Sequence, residues 1–151
     1  MKRLALALLL TLTACSSEEP AAAPDDGRVR GTLDGVRLVL EVADTMEERA
    51  VGLMRRESVP AGTGMVFLYD APTTGRFYMF DVPIPLRAVF VRDGAVVFNV
   101  VMPPCEKGIA PQDCPTYGPD GEFDTVVETA PETLPDVQPG DRLVLESEAR
   151  S

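Results

Sequence analysis

The stretch RVRGTLDGVRLVLEVA, residues 28–43, decides the fold class of this chain. Apolar side chains recur at every second position from Val36 to Val42, which is the period of a half-buried β-strand. Asp34-Gly35 separates this segment from RVRGTL, and an Asp-Gly pair between two extended runs is typical of a tight hairpin. The stretch therefore predicts two antiparallel strands at the start of the folded part of the chain.

Short strands of the same kind are predicted along the rest of the chain. The segments are MVFLY (65–69), RFYMF (76–80), LRAVFV (86–91), AVVFNVV (95–101), FDTVVET (123–129) and DRLVLES (141–147). Asp93-Gly94 predicts a second hairpin, and Pro83 and Pro85 separate two of the strands. The pattern predicts a mainly β fold, a compact β-sandwich or small barrel with one short helix early in the domain.

That helix is predicted from Met46 to Arg56. Thr45 and Glu48 match a capping box, in which a hydroxyl and a carboxylate satisfy the free backbone N–H groups of the first turn. The spacing of the apolar residues is that of an amphipathic helix, with one face made of Met46, Ala50, Leu53 and Met54.

The first 14 residues have the composition of an export signal. MKR (residues 1–3) is positively charged, and LALALLLTLTA (residues 4–14) is too short an apolar run for a stop-transfer helix. LTAC (residues 12–15) resembles a bacterial lipobox, in which the chain is cut before a cysteine that carries lipid on its sulfur. We interpret residues 1–14 as a cleaved lipoprotein signal peptide and Cys15 as lipidated. The alternative is an ordinary secretory signal with an incidental cysteine.

The next segment predicts a tether between the lipid and the domain. Residues 15–27 are rich in Pro, Ala and acidic residues and contain no large apolar side chain, which is typical of disorder. Acyl chains on Cys15 would hold the protein on a membrane, either the outer membrane or the outer face of the cytoplasmic membrane. We therefore expect an extracytoplasmic protein with a single β-sandwich domain over residues 28–148.

The two cysteines that lipidation leaves are Cys105 and Cys114. In an exported protein such a pair is most simply a disulfide, which here closes a loop with eight residues between the cysteines. A metal site is the alternative, but it needs further ligands and the chain contains no histidine. No metal and no cofactor is predicted.

The charge of the chain excludes some partners. Without Lys2 and Arg3 the chain has 12 basic and 24 acidic residues, a net charge of −12. A strongly acidic domain lacks the basic surface that binds nucleic acid or anionic lipid. We expect no nucleic-acid partner.

The chain lacks the residues that several classes of enzyme require. Without histidine there is no imidazole base and no Ser-His dyad, and no P-loop or dinucleotide motif occurs. No spacing marks two carboxylates as an acid/base pair among Asp44, Asp81, Asp124, Glu128 and Asp141.

Four methionines lie in apolar surroundings: Met54, Met65, Met79 and Met102. Their thioethers can bind Cu(I) or simply fill a hydrophobic core.

A series of short motifs occurs in order along the chain, and together they resemble a known family. The motifs are Glu41-Val42-Ala43, Glu48-Arg49, Gly52-Leu53-Met54-x-Arg56, Gly64-Met65-x-Phe67, Phe77-Tyr78-Met79, Ile84-Pro85-Leu86, Phe90, Glu128 and Gly140-Asp141. The chain resembles domain of unknown function 192 over about residues 35–146. The resemblance implies a compact, mainly β sandwich, often in exported or lipid-anchored bacterial proteins, with no established activity.

This sequence departs from the family pattern in one region. Members commonly have a polar Lys-Asn-Thr-like run where this chain has Phe80-Asp81-Val82, and an aspartate where it has Arg87. If the family has a site there, the resemblance implies that this chain has altered it.

We predict a binding rim near Asp81, because a strand that ends in a proline-locked bend cannot continue its ladder of hydrogen bonds. Arg56 is expected to neutralise Asp81 or Glu128, and Tyr78 and Tyr117 would supply aromatic walls with polar tips. The predicted rim consists of Arg56, Tyr78, Asp81, Arg87, Tyr117 and Glu128. The alternative is a structural salt bridge beneath the stapled loop.

The sequence favours a noncatalytic binding or interaction module at the cell envelope, with an unknown small molecule or envelope protein as its partner. One alternative is a hydrolase of envelope material that uses carboxylates and Arg56. Two carboxyl groups about 5–10 Å apart in one pocket would favour it. The second alternative is a methionine-based copper-binding protein.

Overall fold

The computed structural model describes residues 27–146 of the chain. The predicted signal peptide and Cys15 lie outside the described residues. The predicted tether does too, apart from Gly27, as do the last two residues of the expected domain, 147 and 148.

Within residues 27–146 the chain forms nine β-strands, one α-helix and two short 3-10 turns. The strands and the helix are β1 (Arg28–Leu33), β2 (Val36–Ala43), α1 (Met46–Val51), β3 (Thr63–Thr73), β4 (Phe77–Tyr78), β5 (Leu86–Arg92), β6 (Ala95–Met102), β7 (Thr116–Tyr117), β8 (Phe123–Thr129) and β9 (Leu143–Leu145). The 3-10 turns are Pro111–Asp113 and Pro131–Thr133.

Seven strands form one sheet in the order β6-β5-β8-β3-β2-β1-β9, and β4 pairs with β7 in a separate small sheet. β2 and β3 run parallel, joined by the crossover that contains α1, and the other neighbouring pairs run antiparallel. The two edges of the large sheet meet where Ala95 bridges to Arg142 and the Val96 N–H donates to the Asp141 carbonyl at 2.9 Å. The fold is the predicted mainly β sandwich or small barrel with one early helix.

Both faces of the curled sheet are buried. Alternate residues of a strand point to opposite faces, so Val66 and Val127 join one hydrophobic cluster while Phe67 and Val126 join another. The second cluster contains edge-to-face aromatic pairs, among them Phe67 and Phe77 with ring centroids 5.1 Å apart. β8 lies between β5 and β3, so a residue on this strand sits at the centre of the sheet.

The predicted hairpins are confirmed, but the helix is shorter than predicted. The capping box forms, with the Glu48 N–H donating to Thr45 Oγ1 at 3.2 Å. The helix stops because Gly52 has φ +48°, and the Gly52 N–H closes the last turn on the Glu48 carbonyl at 2.8 Å. Half of the predicted apolar face is wrong, since Met46 and Ala50 are exposed, whereas Leu53 is buried and Met54 packs against the core just after the helix ends.

The strand predicted over residues 76–80 is reduced to the two residues of β4. Asp81 adopts φ +59°, a left-handed conformation that a strand cannot continue through, and Pro83 follows directly after Val82. Met79 is still buried in the core, as predicted. The segment 76–80 therefore packs on the core, but only two of its residues pair as a β-strand.

The long loop between β6 and β8 is held by a disulfide between Cys105 and Cys114, whose Cα atoms are 5.7 Å apart. The Cys105 N–H donates to the Met79 carbonyl at 3.4 Å, and Cys114 is buried. The stapled loop therefore covers the same sheet face as the segment around Met79.

Candidate functional site

A cavity of about 100 Å³ lies between α1 and the sheet face that carries Phe67. Its wall is formed by residues 49–54 on one side and by β4 and its neighbours on the other. The polar and charged side chains that line it are Arg49, Tyr69, Arg76, Tyr78 and Glu128. Such a volume holds a few water molecules or the end of a small organic molecule.

Among residues 27–146, Glu128 is the only carboxylate that lines this cavity. It lies on β8 at the centre of the sheet, opposite Met65 of β3 and Ala88 of β5, and only 5% of its surface is exposed. Its carboxyl group forms no hydrogen bond or ion pair with another group of residues 27–146. Burial alone raises the pKa of Glu128 to about 8, so at neutral pH the carboxyl is mostly protonated.

α1 places Arg49 at the edge of the cavity. Its Nη1 donates to the Leu68 carbonyl at 2.8 Å and also to the Asp44 carbonyl, and its guanidinium lies 4.8 Å from the centroid of the Tyr69 ring. Burial raises the pKa of Tyr69, while the charge of Arg49 lowers it and the charge of Glu128 raises it further. Tyr69 thus interacts with both charged groups.

Gly52 forms part of the same wall. A Cβ at this position would lie 3.2 Å from the ring of Phe67, so the chain after α1 rests directly on the core. Its positive φ favours glycine as well. The residue therefore ends the helix and lets the loop close over one side of the cavity.

The opposite wall is anchored by Arg76. Its Nη1 donates to the carbonyls of Gly118 at 2.8 Å and Pro119 at 3.3 Å, which ties the start of β4 to the loop before β8. Tyr78 lies nearby at the rim and is 41% exposed. Both arginines are thus held by backbone carbonyls, and neither forms an ion pair with Glu128.

A larger cleft of about 620 Å³ lies beside Asp81 and the disulfide-bonded loop. Arg55 Nε and Asp81 Oδ2 form an ion pair at 2.8 Å, and the Arg55 N–H donates to the Asp81 carbonyl at 2.7 Å. Both side chains are well exposed, so the ion pair adds little to stability. Its other charged lining residues are Glu57, Glu106 and Lys107.

The residues of the predicted rim do not form one site in the structure, and the predicted partner of Arg56 is wrong. Arg56 forms a two-pronged ion pair with Glu41, at 2.6 and 3.1 Å, whereas Asp81 pairs with Arg55. Arg55 has φ +62°, which turns the chain between the two arginines, so their side chains reach different partners. Neither Arg55 nor Arg56 forms an ion pair with Glu128.

Two other predicted rim residues lie away from the cavity. Arg87 is on the opposite face of β5 from Leu86 and Ala88, and its Nη1 donates to Asn99 Oδ1 at 2.7 Å. Tyr117 is in β7, opposite Phe77. Of the predicted rim, the cavity over Glu128 brings together only Tyr78 and Glu128, while Asp81 lines the neighbouring cleft.

Sequence reasoning missed Arg49, Tyr69 and Arg76, which join the site through contacts distant along the chain. The sequence does contain one signal that points to this site, however. In FDTVVET, Glu128 falls on the same strand face as Val126, so period two already placed a carboxylate on an apolar face.

The four methionines of the copper hypothesis share one hydrophobic cluster. Met65, Met79 and Met102 are buried in it, and Met54 packs against it. Thioethers commonly fill such cores, and the copper hypothesis stays a prediction.

Within residues 27–146, no group of three or more Asp, Glu, Cys or His side chains is placed to hold a metal ion. In the same range of residues, no helix is long and apolar enough to cross a bilayer.

The fold and the site define a small, mainly β domain with a cavity that ends on one buried carboxyl group. The chain belongs to the DUF192 family, described as "Uncharacterized ACR", whose model matches residues 29–145. This confirms the family resemblance seen in the motifs.

Two solved structures share the fold. A protein of unknown function from Novosphingobium aromaticivorans DSM 12444 is 30% identical, with a TM-score of 0.63 over 89% of this chain and 98% of that one. A protein of Sinorhizobium meliloti 1021, described as a candidate transcription regulator, is 24% identical, with a TM-score of 0.64 over 78% of this chain and 92% of that one. No curated protein matches the sequence.

Proposed function

We propose that this chain is a noncatalytic binding module of the cell envelope, and that its cavity over Glu128 receives a small molecule. The observation that carries the proposal is the buried carboxyl group with no partner. Glu128 is only 5% exposed and lines the cavity, so a ligand there can supply hydrogen bonds that its carboxyl otherwise makes only with water. The cavity is also partly apolar, as small-molecule sites commonly are.

The cavity favours binding over hydrolysis because the described part of the chain contributes a single carboxylate to it. A glycosidase-like mechanism needs two carboxyl groups on opposite sides of the scissile bond. The neighbouring cleft is lined by three carboxylates, Glu57, Asp81 and Glu106, but Arg55 already neutralises Asp81. Hydrolase activity thus has less support than binding.

Binding is tested with a mixed set of small ammonium, carboxylate and uncharged compounds, screened for an increase in Tm of the full chain. We expect at least one compound to raise Tm. Ala50→Trp should abolish the effect, because Ala50 lines the cavity and is exposed. Met46→Trp is the matched control, since Met46 is exposed on the same helix and does not line the cavity.

Two results would contradict the binding proposal. One is that no compound in the set distinguishes the wild type from Ala50→Trp. The other is hydrolysis of an envelope polysaccharide by the wild type that is lost in Glu128→Gln while the variant remains folded, which would establish the hydrolase alternative.

The envelope location rests on the export-signal composition of residues 1–14 and on the lipobox-like LTAC sequence that ends at Cys15. In cells that process lipoproteins, Cys15→Ser is expected to move the chain from the membrane fraction to the soluble fraction. Mass spectrometry of the wild type should find diacylglyceryl on Cys15. An unmodified Cys15, or membrane association unchanged by the substitution, would contradict the anchor.

A further inference from the structure

We infer that the cavity binds the ammonium group of a small primary amine, which forms an ion pair with Glu128. The inference rests on the proposed function, because it requires the cavity to be a binding site. Glu128 is 95% buried, lines the cavity and forms no hydrogen bond or ion pair with another group of residues 27–146. A charged N–H donor is the group that pairs best with a carboxylate in such surroundings.

The rest of the lining suits an ammonium group. Phe67, Phe77 and Tyr78 contribute aromatic rings to the lining, which attract a cation through the ring quadrupole, whereas the Tyr69 ring already holds the Arg49 guanidinium. The volume of about 100 Å³ restricts the occupant to a short amine or to the aminoalkyl end of a longer molecule. The positive charge of the amine also suits a chain with a net charge of −10.

An anion is the competing occupant, because protonated Glu128 can donate a hydrogen bond and two arginines line the walls. The contacts of these arginines favour the amine. Arg49 donates to two backbone carbonyls and lies over the Tyr69 ring, and Arg76 donates to the carbonyls of Gly118 and Pro119. The pKa of Glu128 is not lowered by either cation, so neither acts as its counter-ion.

The two occupants differ in how pH affects them. The charged or titratable groups that line the cavity are Arg49 from α1, Tyr69 from β3, Arg76 and Tyr78 from the β4 segment, and Glu128 itself; β5 contributes Ala88 opposite Glu128. Arginine stays charged and an ordinary phenol ionises only near pH 10, so Glu128 is the group that titrates below pH 9.

An ammonium ion needs ionised Glu128. Since burial raises the pKa of Glu128 to about 8, each pH unit below 8 is expected to weaken amine binding about tenfold. A carboxylate needs protonated Glu128, so its binding should weaken above pH 8. The direction of the pH dependence therefore distinguishes the two ligands.

The test is an NMR titration of the full chain in detergent with propylammonium and with propionate, at pH 6, 7, 8 and 9 and constant ionic strength. The carboxyl ¹³C shift of labelled glutamate reports the protonation of Glu128. We expect the Kd for propylammonium to fall about 50-fold from pH 6 to pH 8, where Glu128 is half ionised. The titration midpoint of Glu128 should also move to lower pH as propylammonium is added.

Two controls separate a specific ion pair from general charge attraction. Glu128→Gln keeps the shape of the side chain and should weaken propylammonium binding at least tenfold at pH 8, with no remaining pH dependence. Tetramethylammonium carries the same charge without an N–H donor, so it keeps the attraction to the aromatic rings and should bind at least tenfold more weakly than propylammonium at pH 8.

Three outcomes overturn the inference. They are propionate binding that weakens above pH 8, propylammonium binding unchanged in Glu128→Gln, and no binding of propylammonium at any pH. The first leaves the proposed binding function intact with a different ligand. In the other two, the proposed function is decided separately by the mixed compound set and Ala50→Trp.

Discussion

Glu128→Gln is expected to raise the free energy of unfolding by roughly 4 kcal/mol at pH 8 and by under about 1 kcal/mol at pH 5. In the folded chain burial raises the pKa of Glu128 from 4.5 to about 8, whereas in the unfolded chain it titrates at its ordinary value. At pH values between 4.5 and about 8, the Glu128 carboxyl is therefore mostly protonated in the folded chain and mostly ionised in the unfolded chain. Wild-type stability therefore falls by about 1.4 kcal/mol per pH unit over this range, and glutamine removes that fall.

Urea denaturation of both proteins at pH 5 and pH 8 measures the effect. Asp124→Asn is a matched control on the same strand, and the opposite result is expected. Burial raises the pKa of Asp124, but hydrogen bonds from the Asp93 N–H at 2.9 Å and Arg92 at 3.0 Å lower it more. Asp124→Asn should therefore destabilise the chain. Equal stability of the wild type and Glu128→Gln at pH 8 would show that the Glu128 carboxyl has a partner or access to water.

The elements that the sequence predicted well are those whose signals are local. The hairpin turns at Asp34-Gly35 and Asp93-Gly94 form as expected, because each turn is specified by two adjacent residues that accept positive φ. The capping box of α1 is also local. The end of α1 was predicted less well, because the packing of the chain on Phe67 favours a turn at Gly52 over further helical residues.

The site was predicted poorly because its contacts join distant parts of the chain. Arg55 and Arg56 are adjacent and chemically identical, and only their tertiary partners, Asp81 and Glu41, distinguish them. Likewise, the sequence shows that Glu128 shares a strand face with Val126 but not which cation, if any, reaches it. That depends on the backbone carbonyls that hold Arg49 and Arg76.

Gly64→Ala is expected to destabilise the chain by at least about 4 kcal/mol, in the range reserved for severe core changes. Gly64 lies on β3 opposite Thr129, in the middle of the large sheet. A Cβ on Gly64 would overlap the backbone carbonyl oxygen of Glu128 and lie 3.0 Å from Thr129 Cγ2. Backbone cannot move aside as a flexible side chain can, so β3 and β8 would have to separate and lose ladder hydrogen bonds.

Urea denaturation compares this variant with Gly121→Ala, which adds the same methyl group where nothing lies within 4 Å. The control is expected to stay within about 0.5 kcal/mol of the wild type. A stable Gly64→Ala variant would show that β8 can shift away from β3. Because Glu128 is held at the base of the cavity by that strand pair, such a shift would also move its carboxyl group. Gly64 therefore links the packing of the sheet to the position of Glu128 in the proposed site.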